Sequence, residues 1–133
     1  MSTIVFELVS PERLLVSRAV EMVTVPGTEG DFGVLPGHAP LVSSLRVGVL
    51  DVRTDAATAE RYFVAGGFAE VSPERCTVLA EEAIPFSEMD RAKVEAEIKY
   101  YQDALLVTEK EDVKAKFKRR IELAEVKLSL LAH

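Results

Sequence analysis

Pro85-Phe86-Ser87-Glu88-Met89-Asp90 is where the chain changes period. Before it, apolar side chains recur at every second position, the repeat of a strand with one buried face. After it they recur every three or four positions, the repeat of one helical face. The chain therefore divides into a β-domain over residues 1–86 and a helical domain over 87–133, an α+β arrangement.

Upstream of the switch, Ile4, Phe6 and Leu8 share one face, and Pro11 ends that run. Val20–Val25 reads as a second strand, stopped by Pro26-Gly27. Gly48–Arg53 alternates with Asp51 and Arg53 outward, and it pairs with Arg61–Ala65 across the polar loop Thr54–Glu60. Gly66-Gly67 bends the chain into Phe68–Val71, and Ser72-Pro73-Glu74 turns it into Cys76–Ala80. Short strands punctuated by Gly and Pro predict an antiparallel sandwich or barrel.

Downstream, Ser87 is placed to cap a helix, with Asp90 at the capping-box position. Val94, Ile98, Tyr101 and Leu105 form one apolar stripe. Val113, Phe117, Ile121, Ala124, Leu128 and Leu131 form a second. Thr108 with Glu111 makes another capping box between them. Two helices are predicted, roughly 88–106 and 109–131. The link Val107–Asp112 holds neither Gly nor Pro, so one continuous rod is also open. The stripes are out of phase by about a fifth of a turn in such a rod, which favours a hairpin able to switch.

Composition narrows the function. The net charge of −6 argues against nucleic acid as a partner. Residues 1–86 carry 6 basic and 12 acidic side chains and residues 87–133 carry 10 of each, so the two domains differ in charge and in the neighbours they suit. The single cysteine, Cys76, excludes an internal disulfide and a multi-cysteine metal site, and is read as a buried, inert thiol. No run reaches the ~20 apolar residues of a membrane span, and Met1-Ser2-Thr3-Ile4 does not resemble a signal peptide. A place in the cytoplasm or on a membrane face is expected, without direct lipid insertion.

Residues 25–41 hold four glycines and three prolines, a heavily specified turn-rich path. A phosphate loop is excluded because no Lys follows the last glycine and Glu29 and Asp31 would repel phosphate. Glu29, Asp31 and His38 have no metal-ligand spacing.

The segment resembles the epsilon subunit family of F-type ATP synthases, whose pattern is G-[ST]-E-G-[DE]-x-G-x-x-P-G-H-A-P-L. Gly27, Thr28, Glu29, Gly30, Asp31, Gly33, Pro36, Gly37, His38, Ala39, Pro40 and Leu41 all match it. Gly48, the Gly66-Gly67 pair and Thr77-Val78-Leu79-Ala80 extend the likeness along the whole chain. The resemblance implies an antiparallel β-sandwich of about ten strands followed by a two-helix antiparallel hairpin. It implies a non-catalytic rotor subunit of the central stalk, joining gamma to the ring of c subunits so that proton flow drives ATP synthesis. It implies a peripheral place on the cytoplasmic face of the bacterial inner membrane. Ring contact falls on Glu29, Gly30, Asp31, Phe32, Pro36, Gly37 and His38. Gamma contact falls on Gly66, Gly67 and Phe68, although Phe68 read by itself is assigned to the core.

The resemblance also implies regulatory residues on the helices. Some members bind ATP through [IL]-D-x-x-R-A. Here Asp90 is present, but Lys93 and Val94 stand where Arg and Ala are expected, and Lys lacks the forked donor set of Arg. No cofactor is therefore expected. Lys116, Lys118, Arg119 and Arg120 suit an acidic loop on the catalytic beta subunit, beside alpha, where an extended hairpin would brake ATP hydrolysis. Their plainer reading is a solvated face with an Asp112–Lys116 pair. The sequence also leaves two rival readings open. One is a free-standing ATP-sensing module built on the hairpin. The other is a small enzyme using Glu29, Asp31 and His38 as acid and base.

Overall fold

A computed structural model describes residues 2–132, and its contacts divide the chain after Phe86 into two compact units. The first unit holds eight strands: β1 (Ile4–Val9), β2 (Leu14–Val20), β3 (Met22–Gly27), β4 (Gly30–Val34), β5 (Leu41–Ser44), β6 (Gly48–Arg53), β7 (Ala59–Val71) and β8 (Arg75–Pro85). Their order is β2-β1-β8-β7-β6-β3-β4, with β5 also on β7. Every pairing is antiparallel except β1 with β8, which is parallel.

The count of eight, against about ten expected, follows from the length of β7 and β8. Residues Ala59–Val64 of β7 pair with β6, whereas Phe68–Val71 pair with β5. β8 accompanies β7 through the change, from Tyr62↔Pro85 to Val71↔Cys76. One long strand pair thus turns from one layer into the other. The turn is at Gly66 and Gly67, which have φ of 71° and 98°. A Cβ on Gly67 would overlap the Leu79 carbonyl oxygen and lie 2.9 Å from the Ala80 Cα. Only glycine supplies both the positive φ and the close backbone approach.

The inner faces bury Ile4, Phe6, Leu8, Val23, Val25, Val34, Leu50, Val52, Tyr62, Val64 and Val78 in one core. Cys76 belongs to the same core, and burial pushes its thiol up to about 12. β2 was not legible as a strand. Arg18 shares the face of Val16 and Val20, but it extends to Glu60 of β7 at 3.1 Å and so breaks the apolar alternation. Glu60 also accepts a hydrogen bond from the Tyr62 hydroxyl at 2.7 Å. Burial, then that bond, push the Tyr62 phenol up to about 12. The turn-rich reading of residues 25–41 also needs correction. β3 continues through Pro26-Gly27 and pairs with β4 from Val23↔Val34 to Gly27↔Gly30. Beyond Thr24, β3 has no ladder with β6, so the missing Pro26 N–H costs nothing there.

The second unit holds α1 (Arg91–Val107) and α2 (Glu111–Leu131). Phe86–Glu88 form a 3-10 turn, so Ser87 is not the cap. Asp90 is: its carboxylate accepts from the Ala92 and Lys93 amides at 2.8 and 3.4 Å. The Thr108–Glu111 box does not form either. Thr108 ends α1 by donating to the Ala104 carbonyl at 2.6 Å, and Lys110 precedes α2 with no side-chain cap. The helices fold back on each other. The Tyr101 and Phe117 rings lie 5.4 Å apart, and Arg120 meets Glu97 at 3.5 Å. The hairpin, not the rod, is the state described.

Gly67→Ala should lower stability by about 3 kcal/mol or more, since it adds strained φ to a backbone overlap. Gly30, at φ 127° with nothing within 4 Å of a built Cβ, should cost only the strain when changed to Ala, roughly 1–2 kcal/mol. Urea midpoints of the two variants check this; equal losses would contradict it.

Candidate functional site

The segment 25–41 builds one margin of the sandwich. Thr28-Glu29 forms the tip of the β3–β4 hairpin, and both residues are exposed. β4 is the terminal strand of the sheet path. Beyond it, the loop through Pro36-Gly37-His38 is fixed by backbone bonds. The Gly37 amide donates to the Pro73 carbonyl at 2.8 Å, and the His38 amide to the Leu35 carbonyl at 3.1 Å. His38 Nδ1 donates to the Ala39 carbonyl at 2.7 Å, which ties the ring to its own loop.

The tip is tied down from the far side of β5. The Thr28 amide donates to Ser44 O, and the Arg46 amide to Pro26 O, both at 3.0 Å. Arg46 Nη1 donates to Gly27 O at 2.7 Å, and Nη2 makes an ion pair with Asp31. A shallow groove runs between the tip and β5, lined by Thr28, Glu29, Asp31, Phe32, Leu41 and Val42. Val42 is 67% exposed.

The proposed ring-contact residues are thus strung along an edge. Glu29 and His38 sit at opposite ends of β4, whose five residues span about 17 Å. They do not converge on one reacting atom, and Asp31 is already paired. The acid–base enzyme reading has no constellation to support it. Among the described residues no group of His, Cys, Asp or Glu could hold a metal, and no helix is long and apolar enough to cross a membrane.

Gly66 and Gly67 are the corner described above. Phe68 is 41% exposed, which overturns its assignment to the core. Its neighbours Ala69 and Val71 take the inner face, so Phe68 points out. The register extends this into a row. Leu14 lies opposite Val9, Val9 opposite Leu79, and Leu79 opposite Phe68. Val9, Pro11, Phe68 and Leu79 line an apolar groove there, with Gly67 at its margin. The row was invisible in the sequence because its members lie on four strands, and only the pairing register aligns them.

On the hairpin, Lys93, Lys116, Lys118 and Arg119 are exposed, while Arg120 is held by Glu97. The ion pair at the start of α2 is Lys114–Glu111 at 3.5 Å; no Asp112–Lys116 pair forms among the described residues. Leu106 and Val107, at the hairpin tip, are 85% and 82% exposed.

The family described as "ATP synthase, Delta/Epsilon chain, beta-sandwich domain" matches residues 3–86. The ATP synthase epsilon chain of Rhodospirillum rubrum is 48% identical over 124 residues, covering 93% of this chain and 92% of that one. The ATP synthase epsilon chain of Paramagnetospirillum magneticum is 48% identical over 127 residues, covering 96% of each. A chain in the cryo-EM structure of Euglena gracilis mitochondrial ATP synthase (OSCP/F1/c-ring in rotational state 1) is similar with a TM-score of 0.77 at 27% identity, covering 100% of this chain and 83% of that one. A chain of the Tetrahymena thermophila central stalk and c-ring, at 15% identity and a TM-score of 0.58, shares the fold.

Because Asp90 caps α1, Asp90→Ala should cost about 1 kcal/mol, whereas Asp90→Ser should be nearly neutral. Thermal melts check this. Equal losses in both variants would show that its charge, not its cap, is what the chain needs.

Proposed function

This chain belongs to the ATP synthase epsilon chain family, and from that premise we propose that it is a non-catalytic rotor subunit of the central stalk, joining gamma to the c-ring. Proton flow through the ring would then turn gamma, and catalysis would belong to other chains. The reading places it peripherally on the cytoplasmic face of a bacterial inner membrane. The observation that carries it is the similarity, across the whole chain, to a chain of an F1/c-ring structure at 27% identity.

The geometry supplies a physical route. A torque-bearing joint needs stiffness and contacts spread over a lever arm. The β4 margin offers Glu29 at one end and His38 at the other, both on turns locked by backbone bonds. Exposed charge pairs contribute roughly 0–1 kcal/mol each, so the aliphatic Leu41 and Val42 beside Glu29 matter as much as the charge. The opposite requirement, a firm seat on gamma, suits the Leu14–Val9–Leu79–Phe68 row. An exposed aromatic within an apolar groove is the kind of anchor that dominates interfaces.

Regulation by the hairpin is the second part of the proposal. Exposed Lys116, Lys118 and Arg119 offer cations to an acidic loop of beta, near alpha. Extension into a rod would first have to release the Arg120–Glu97 contact and the Tyr101–Phe117 packing. The ATP-sensing alternative is weaker, since Asp90 is spent on the helix cap and Lys93 and Val94 depart from the motif.

Phe68→Glu should weaken capture by purified gamma by about tenfold or more, while Glu29→Lys leaves that capture intact and lowers ATP-driven proton pumping per ATP hydrolysed in the reconstituted complex. Unchanged gamma capture by Phe68→Glu, or unchanged pumping by Glu29→Lys, would contradict the respective seat. Truncation after Ser87 should raise hydrolysis by the assembled enzyme; an unchanged rate would remove the brake and leave the joint standing.

A further inference from the structure

Arg46 lies outside the motif that identifies the family, yet it makes three separate contacts with the β3–β4 hairpin. Its backbone amide donates to Pro26 O at 3.0 Å. Nη1 donates to Gly27 O at 2.7 Å, and Nη2 pairs with Asp31. Pro26 and Asp31 face each other in the hairpin register, and Gly27 faces Gly30. One guanidinium therefore holds both arms of the hairpin next to its tip. The planar fork of Arg can satisfy a carbonyl and a carboxylate together; the point charge of Lys cannot hold both in that geometry.

The charge count follows. Glu29, Asp31 and Arg46 sum to −1. Asp31 and Glu29 read alike in the sequence, two acids on one turn, but only Glu29 has no ion pair among the described residues. We propose that Arg46 is a positioning residue: it braces the tip and cancels the charge of Asp31, so that the tip meets a cationic partner surface through Glu29 alone. This rests on the reading of the β4 margin as the partner-facing edge. It assigns different roles to the two acids, one outward and one internal. The Arg46 and Asp31 side chains are 43% and 56% exposed, so the electrostatic part is modest and salt-sensitive.

The test is a charge cycle in the reconstituted synthase, read as protons pumped per ATP hydrolysed at low and high KCl. Asp31→Asn leaves Arg46 as an unbalanced cation beside Glu29. It should lower coupling by about threefold at low salt, and high salt should reduce that deficit. Arg46→Gln alone should not lower the attraction between the tip and a cation. The double variant Asp31→Asn/Arg46→Gln restores the net charge of −1 and should recover coupling most of the way. If the double variant is as impaired as Asp31→Asn, Asp31 touches the partner itself and the proposal is overturned. It is equally overturned if Asp31→Asn has no effect while Glu29→Gln impairs coupling.

A second measurement is independent of any partner. In the isolated full chain, Arg46→Gln and Arg46→Lys should both speed hydrogen exchange of the 28–31 amides while β1 and β8 stay protected. Unchanged exchange at the tip would refute the brace. If Glu29→Gln and every charge variant leave coupling untouched while tip exchange rises, the brace stands and the partner-facing reading of this margin is what fails.

Discussion

The backbone of Gly67 passes so close to Leu79 and Ala80 that no side chain fits between them, and the rest of the first unit depends on that approach. It lets β7 change partners from β6 to β5 while β8 stays beside it. One long strand pair is thereby shared by both layers, and the core of Ile4, Phe6, Leu8, Leu50 and Val64 closes between them. Arg18 and Glu60 meet at the rim of the same enclosure. The backbone hydrogen bonds of one bent strand pair therefore tie the two layers together directly.

The same corner sets the outer surface. Because Ala69 and Val71 turn inward after the glycines, Phe68 turns outward and falls into line with Leu79, Val9 and Leu14. At the far margin, the β3–β4 hairpin is held by Arg46, and the loop bearing His38 by the Pro73 carbonyl. Two surfaces of different chemistry, one apolar and one mixed with charge, are fixed on one rigid unit.

The sequence revealed the fold class because Pro85 separates two clean periods, and because Phe6–Leu8 and Leu50–Val52 alternate well. It hid β2, where Arg18 occupies an inward-facing position. It also hid β4 and β5, whose short, Gly- or Ser-containing runs bury only Val34 between them. Ser87 looked like a cap because its spacing to Asp90 mimics a capping box; the intervening 3-10 turn moves the helix start to Arg91. The margin residues were readable from their glycine and proline framework. Arg46 was not, since an isolated Arg between two strands carries no local signal, and neither was the apolar row that only register assembles.

Cys76 is fully buried and its thiol is pushed up to about 12, so it stays silent toward maleimides near neutral pH and an introduced cysteine reports alone. The most direct measurement is the labelling rate of Glu29→Cys in the isolated chain and in the complete synthase, with exposed Ala57→Cys as the control. The account predicts that assembly slows labelling many-fold at position 29 and leaves position 57 unchanged. Equal rates at position 29 in both states would mean that this margin faces water in the motor, and the account would be wrong.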